Sequence, residues 1–130
     1  MGIIERDVFL WLKRPTIANI RAVLQWAQKR ALKSDIRCRN LGEIGECPPE
    51  MDFENILRDI DRKAKLFFRI VVRKGMNDML HLDSKKRRDL LGLCISVWAG
   101  KKEYDVVFYL GVGSLGSLKR KFSMSEEIVH

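Results

Sequence analysis

The chain has 130 residues, and its 25 lysines and arginines against 17 acidic residues give a formal net charge of +8. Its apolar share of 46% is that of an ordinary globular protein, and no segment approaches the roughly 18 consecutive apolar residues of a membrane span. These totals predict one soluble domain with its own core and exclude a membrane-spanning chain. The excess of positive charge predicts an anionic partner.

The first half of the chain is predicted to hold two helices and a loop. Residues 3–12 are rich in apolar side chains and precede Pro15, which predicts a short helix that ends ahead of the proline. Thr16 is a candidate N-cap for a second helix over about 17–33, where apolar residues recur at helical spacing. Residues 34–50 contain two glycines, two prolines and no periodicity, so a loop is predicted there.

The second half is predicted to hold two further helices. Asp52 is a candidate N-cap for a third helix over about 53–74, which has the clearest helical period in the sequence. The FFRIVV run near its end also fits a strand, and that alternative stays open. A fourth helix is predicted over about 85–99, with Gly100 at its C-terminal end.

The GVGSLG segment, residues 111–116, follows an apolar run over 104–110 that fits either a helix or a short strand. A strand followed by G-x-G-x-x-G is typical of dinucleotide binding, which also needs a helix and a second strand within about 30 residues. Only 14 residues follow Gly116, so the glycines predict a turn instead. The predicted fold is mainly α: a compact single-domain bundle of about four helices over 1–110, followed by a flexible basic and acidic tail over 111–130.

Basic residues gather on one side of the predicted third helix. At about 100° per residue, five of them fall within about 80° of one another, almost opposite the apolar side. Arginine can bond a phosphate through two parallel hydrogen bonds, so this stripe is a candidate phosphate-binding surface, with a solvated helix face as the alternative. The stripe consists of Arg58, Arg62, Lys65, Arg69 and Arg73.

A second basic cluster stands at the start of the predicted fourth helix. Cations at a helix N-terminus oppose the helix dipole, and either a bound anion or the neighbouring Asp83 and Asp89 would offset that cost. The run extends the candidate nucleic-acid surface and also resembles a short nuclear-import signal. Its members are Lys85, Lys86, Arg87 and Arg88.

Trp26 is the candidate base-stacking residue. A tryptophan among cations can stack on an unpaired base while the cations hold the backbone. Packing against the N-terminal segment or another subunit is the alternative role, and Trp11 and Trp98 are predicted to lie in the core. The neighbouring cations on the predicted second helix are Lys29, Arg30 and Lys33.

No catalytic residue, metal site or cofactor is predicted. Cys38 and Cys47 lack the spacing of a zinc ligand pair, and His81 and His130 are far apart in the sequence. Cys94 is predicted to lie on an apolar helix face in the core. Three cysteines do not make a disulfide framework, and no signal-peptide pattern is present. We therefore expect an intracellular protein, cytoplasmic or, through the import-like run, nuclear.

These observations predict a small basic non-enzymatic protein that binds nucleic acid, RNA in preference to DNA, through backbone charge and with weak sequence specificity. The alternatives are a regulatory module that docks the basic third helix on an acidic protein, and a peripheral binder of anionic membrane. In size and charge the chain resembles small basic accessory and matrix proteins of viruses, although it shares no motif with them. Apolar side chains on other sides of the third helix predict a homodimer, namely Leu66, Phe68, Ile70 and Val72.

Overall fold

The structure is a computed structural model, and it describes residues 7–40, 52–62, 67–73 and 89–128. Within these residues the chain forms six strands and three helices. In chain order they are β1 (Val8–Leu12), α1 (Ile17–Arg30), β2 (Lys33–Asn40), α2 (Phe53–Asp61), β3 (Phe67–Arg73), β4 (Leu90–Ala99), β5 (Lys102–Gly111), α3 (Ser114–Phe122) and β6 (Met124–Ile128).

The six strands form one sheet in the order β2-β5-β4-β3-β1-β6, and every neighbouring pair is antiparallel. β4 and β5 are the longest strands, with 10 residues each, while β2 and β6 are the edges. The prediction of a mainly α bundle of about four helices is therefore wrong. No helix of the described chain is long and apolar enough to cross a membrane.

The core lies between one face of the sheet and the three helices. Side chains alternate between the two faces of a strand, so β5 sends Tyr104, Val106 and Phe108 into the core. The helices bury one apolar side each against this face. Their core side chains are Ile20, Val23, Leu24, Trp26 and Ala27 from α1, Phe53, Ile56, Leu57 and Ile60 from α2, and Leu118 from α3.

The predicted third helix is in fact a helix followed by a strand. α2 ends at Asp61, and the chain is extended in β3. Val71 continues the helical spacing of α2, which is why the pattern indicates one long helix. The open alternative, a strand at FFRIVV, is the one observed. The three residues that were expected to leave spare surface for a dimer instead face the core from β3: Phe68, Ile70 and Val72.

The predicted fourth helix is the central strand β4. A continuous apolar run does not distinguish a buried strand from a buried helix, although the β-branched Ile95 and Val97 favour a strand. Gly100, expected to end that helix, lies in the two-residue turn between Ala99 and Lys102. Its φ of 64° is in the left-handed region that glycine adopts freely. The ambiguous run over 104–110 belongs to strand β5.

Both predicted N-caps that the structure describes are confirmed. The Thr16 hydroxyl accepts a hydrogen bond from the Asn19 backbone N at 3.1 Å at the start of α1. The Asp52 carboxylate accepts one from the Asn55 backbone N at 2.8 Å at the start of α2. Each cap satisfies a backbone donor that the helix itself leaves unpaired.

Two predictions for the first half of the chain are corrected. The segment expected to be a helix over 3–12 contains β1, which pairs with β3 and β6. The segment expected to be a loop over 34–50 contains most of β2, which pairs with β5 along its whole length. Residues 41–50 lie outside the described chain.

Residues 114–128, expected to be a loose tail, are part of the same sheet and its helix layer. α3 follows β5 and leads to β6, which pairs with β1 at the sheet edge. β5 and β6 run parallel, but β4, β3 and β1 lie between them. A dinucleotide-binding unit places its two strands side by side, so this topology differs from that unit. A Cβ at Gly111 or Gly113 would meet no atom within 4 Å.

The cysteines also depart from expectation. Cys38 lies on the core side of β2 and is disulfide-bonded, although three cysteines predicted no disulfide framework. Cys94 is half-buried on β4 and faces away from the helices, rather than lying on a helix in the core.

A buried polar contact joins the helix layer to the sheet. The hydroxyl of Tyr104, a fully buried side chain of β5, donates a hydrogen bond to Oδ2 of Asp59 on α2. Burial, together with the hydrogen bond and negative charge of Asp59, raises the pKa of Tyr104 far above its usual range. Ionisation of Tyr104 is therefore opposed by the fold itself.

Replacing this tyrosine, Tyr104→Phe, is expected to lower the free energy of unfolding by about 1–2 kcal/mol, because Asp59 loses its donor. Folding raises the pKa of Tyr104 above its value in the unfolded chain, which is about 10. The stabilisation is therefore complete below about pH 10 and is lost progressively as the pH rises from there toward the pKa of the folded protein. Urea denaturation between neutral and alkaline pH checks both effects. An equally steep alkaline loss of stability in wild type and variant would contradict the assignment.

Candidate binding cleft on the second sheet face

The face of the sheet turned away from the helices carries exposed arginines on two strands. Strand alternation places Arg37 and Arg39 of β2 on this second face, and Arg69 and Arg73 of β3 as well. Between them β4 presents small groups, namely Gly92, Cys94 and Ser96. The second face is therefore low over residues 92–96 of β4 and raised where the arginines stand.

The strand register brings four side chains into one row across the sheet. Arg37 lies opposite Asp105, and Asp105 lies opposite Ser96. Ser96 in turn lies opposite Arg69. Because neighbouring strands are about 4.8 Å apart, the two arginines are separated by roughly 14 Å of sheet, with an acid and a hydroxyl between them.

A cleft of about 200 Å³ lies over this row. Its charged lining residues are four arginines and two aspartates, so positive charge is in excess. We call it the arginine cleft. These charged residues are Arg37, Arg39, Arg69, Arg73, Asp35 and Asp105.

Hydrogen bonds fix the acidic groups of the arginine cleft. The Ser96 hydroxyl donates to Oδ1 of Asp105 at 2.7 Å. The Tyr109 hydroxyl donates to Oδ2 of Asp35 at 3.2 Å, and Lys33 Nζ lies 3.9 Å from Oδ1 of the same carboxylate. Among the described residues, Asp35 is thus engaged by two neighbours and Asp105 by one.

The arginines differ in how much of their charge is compensated. Arg73 Nε lies 3.2 Å from Oδ2 of Asp7. The guanidinium of Arg69 lies 5.8 Å from the ring centroid of Trp98, a cation–π contact. Within the described ranges, Arg37 and Arg39 form no ion pair. Arg37, Arg39 and Arg69 thus have no acidic partner among the described residues.

Aromatic side chains flank the arginine cleft on the β3 side. Phe67 of β3 is 77% exposed and lies opposite Trp98 of β4 in the register. On β1, Trp11 is 48% exposed, and its ring centroid lies 5.8 Å from that of Phe9. The predictions that Trp11 and Trp98 lie in the core are wrong, because both are on the second face. Exposed rings beside cations form the type of surface on which nucleobases stack.

The predicted stripe does not exist as a single surface. Arg58 and Arg62 belong to α2 and its C-cap, in the layer that covers the core face. Arg69 and Arg73 lie on β3 and point to the second face, where they line the arginine cleft. The sheet separates the two pairs, so they cannot contact the same short ligand segment.

Trp26 is only 6% exposed, and its ring meets the edge of Phe122 on α3, with centroids 6.4 Å apart. The Arg30 guanidinium lies 4.2 Å from the Trp26 ring centroid. This placement matches packing within the chain rather than stacking on a base. Lys29 is exposed at the end of α1, and Lys33 lies on β2 beside Asp35.

Several predicted binding residues lie outside the described chain. They are Lys65, Lys85, Lys86, Arg87 and Arg88, together with Leu66 of the predicted dimer surface.

Sequence reasoning missed Arg37, Arg39 and Asp105 as candidate site residues. A signal for the first two is present, because in Asp35–Arg39 the charged residues alternate with Ile36 and Cys38 at the period of a strand. Asp105 has no such local signal, since its position in the cleft depends on pairing with β2 and β4.

Comparison of the chain with protein-family models, with curated proteins and with solved structures finds no match. The viral character suggested by size and charge thus gains no support from relatives. Among the described residues, no group of three or more His, Cys, Asp and Glu side chains is placed to hold a metal ion.

Proposed function

We propose that the protein binds single-stranded nucleic acid in the arginine cleft, as a binding protein without catalytic activity of its own. The observation that carries this proposal is the position of four arginines, from two strands, around one cleft on the second face. A planar guanidinium can bond two oxygens of one phosphate, so arginines on both sides suit a chain of phosphates.

Single strands fit this surface better than duplexes. A duplex is read by a helix or a two-stranded ribbon that projects into a groove, whereas the arginine cleft is a depression. The exposed Phe67 and Trp11 rings beside it can stack only on unpaired bases. The cleft volume of about 200 Å³ is also below the ~300–1,000 Å³ of typical small-molecule pockets, as expected for a site that holds part of a polymer.

Weak sequence specificity follows from the same chemistry. Phosphate contacts position a nucleic acid without reading its bases, and stacking accepts any base because each has a π face. The acidic-partner alternative relied on a basic amphipathic helix over 53–74, and that helix ends at Asp61. The alternative of binding to an anionic membrane is tested in the same experiment, by competition with anionic phospholipid vesicles.

The test is fluorescence anisotropy with labelled single-stranded RNA and DNA across a salt series, with duplexes and anionic phospholipid vesicles as competitors. Three to four phosphate contacts predict a slope of log affinity against log salt of roughly −2 to −3 for a single strand. Duplexes and vesicles should compete weakly. Absence of single-strand binding at low salt, or displacement by vesicles as effective as by unlabelled RNA, contradicts the proposal.

A further inference from the structure

The arginine cleft has hydrogen-bond donors at its rim and acceptors on its floor. Guanidinium groups donate and never accept. On the floor, Ser96 is 7% exposed, and its single hydroxyl hydrogen is donated to Asp105. Oδ2 of Asp105 receives no hydrogen bond from the described residues. What the floor offers a ligand is therefore a pair of acceptors, Oδ2 of Asp105 and the remaining lone pair of Ser96 Oγ.

A carboxylate at this position disfavours a phosphate, because like charges repel at short range. Asp105 also does not serve to hold an arginine in place. Arg37 stands opposite it in the register, yet no ion pair between the two forms in the described chain. A nucleic acid carries no cationic group at neutral pH. The group of a single strand that meets Asp105 is therefore a neutral hydrogen-bond donor, next to a phosphate held by the arginines.

The ribose 2′-hydroxyl is such a group. It is present beside the phosphate of every RNA nucleotide, and DNA has no donor there. Base N–H groups also donate, but they differ from base to base and would make binding depend on sequence. We infer that the Asp105–Ser96 pair accepts a hydrogen bond from a ribose 2′-hydroxyl and thereby selects RNA over DNA. This inference rests on the proposed binding of single strands by the same cleft.

The experiment compares three labelled single strands of one mixed sequence, made as RNA, DNA and 2′-O-methyl RNA. The methylated strand keeps the ribose and the bases but loses the donor. One hydrogen bond to a charged group predicts that RNA binds about tenfold more tightly than DNA. The 2′-O-methyl strand should bind as DNA does.

Two matched variants locate the effect. Asp105→Asn keeps the side-chain size but removes the negative charge and one acceptor oxygen, so the charge-assisted hydrogen bond is lost and the RNA-to-DNA affinity ratio should fall toward one. Glu103→Gln removes an acid two residues earlier, on the same face of β5 but outside the cleft lining. It should change RNA and DNA binding alike and preserve the ratio. Circular dichroism checks that both variants fold. If Asp105→Asn does not fold, the comparison of RNA, DNA and 2′-O-methyl RNA on the wild type still tests the 2′-hydroxyl contact.

The outcomes separate this inference from the proposed function. Equal affinity of the wild type for RNA and DNA overturns the 2′-hydroxyl contact and leaves single-strand binding intact. Tight binding of the 2′-O-methyl strand, or an unchanged ratio in folded Asp105→Asn, overturns it too. A folded wild type that binds none of the three strands overturns both proposals.

Discussion

Replacing Arg37, Arg39 and Arg69 together by glutamine is expected to weaken binding of single-stranded RNA by about a hundredfold. These are the cleft arginines without an acidic partner in the described chain. A charge-assisted contact at an exposed site contributes about 1 kcal/mol, and three of them correspond to roughly two orders of magnitude in Kd. The salt slope should become shallower by about 2, because three counterion-releasing contacts are lost.

Glutamine is preferred to glutamate for a structural reason. Glutamate at position 37 would stand directly opposite Asp105, and like charges opposite each other destabilise a strand pair. The matched control carries Lys29→Gln, Arg58→Gln and Arg62→Gln, which lower net charge by the same amount in the helix layer. Charges farther away than the Debye length of about 10 Å are largely screened, so this control should lose less than about threefold. Equal losses of RNA affinity in the two triple variants would show that binding depends on net charge rather than on the arginine cleft.

The sequence predicts those elements of the fold that have one apolar side and a local cap. α1 is of this kind, with Thr16 ahead of a helical apolar period. β4 is not, because its residues are nearly all buried or half-buried on both sides, and such a strand shows no alternation. The order of the strands is beyond local patterns altogether. β1 pairs with β6 through contacts such as Leu12 with Met124, which no period in the sequence encodes.

The candidate site is predictable only in part, for a similar reason. Arg69 and Arg73 are identified as candidate phosphate ligands from a helical pattern, although they lie on a strand. Their spacing of four residues places them on one side of either element. Four residues is close to one turn of a helix, and it is also an even number, which returns a strand residue to the same face. Arg37 becomes their neighbour across the cleft only through the pairing of β2 with β5. The cleft is thus a product of register, which is fixed by the whole core.

Replacing the exposed aromatic ring, Phe67→Ala, is expected to weaken single-strand binding by about tenfold without changing the salt slope. Stacking of a base on an aromatic side chain contributes ~1–3 kcal/mol and releases no counterions, so affinity falls while the salt dependence stays. Phe67→Trp offers a larger ring and should retain or increase affinity. Salt-series anisotropy on the same RNA as for the arginine variant compares the two effects directly.

Leu32→Ala is the matched control for Phe67→Ala, because Leu32 is also 77% exposed but precedes the edge strand β2, whereas Phe67 and Trp11 lie on β3 and β1. Both side chains contribute little to the core, so neither variant should lose much stability in urea. If Phe67→Ala binds like the wild type, the rings do not stack on bases and the cleft acts through charge alone. If Phe67→Ala also makes the salt slope shallower, then Phe67 supports the phosphate contacts of the arginines rather than stacking on bases. Retained slope with reduced affinity is the result that assigns stacking to β3, beside the arginines that we propose to hold the phosphates.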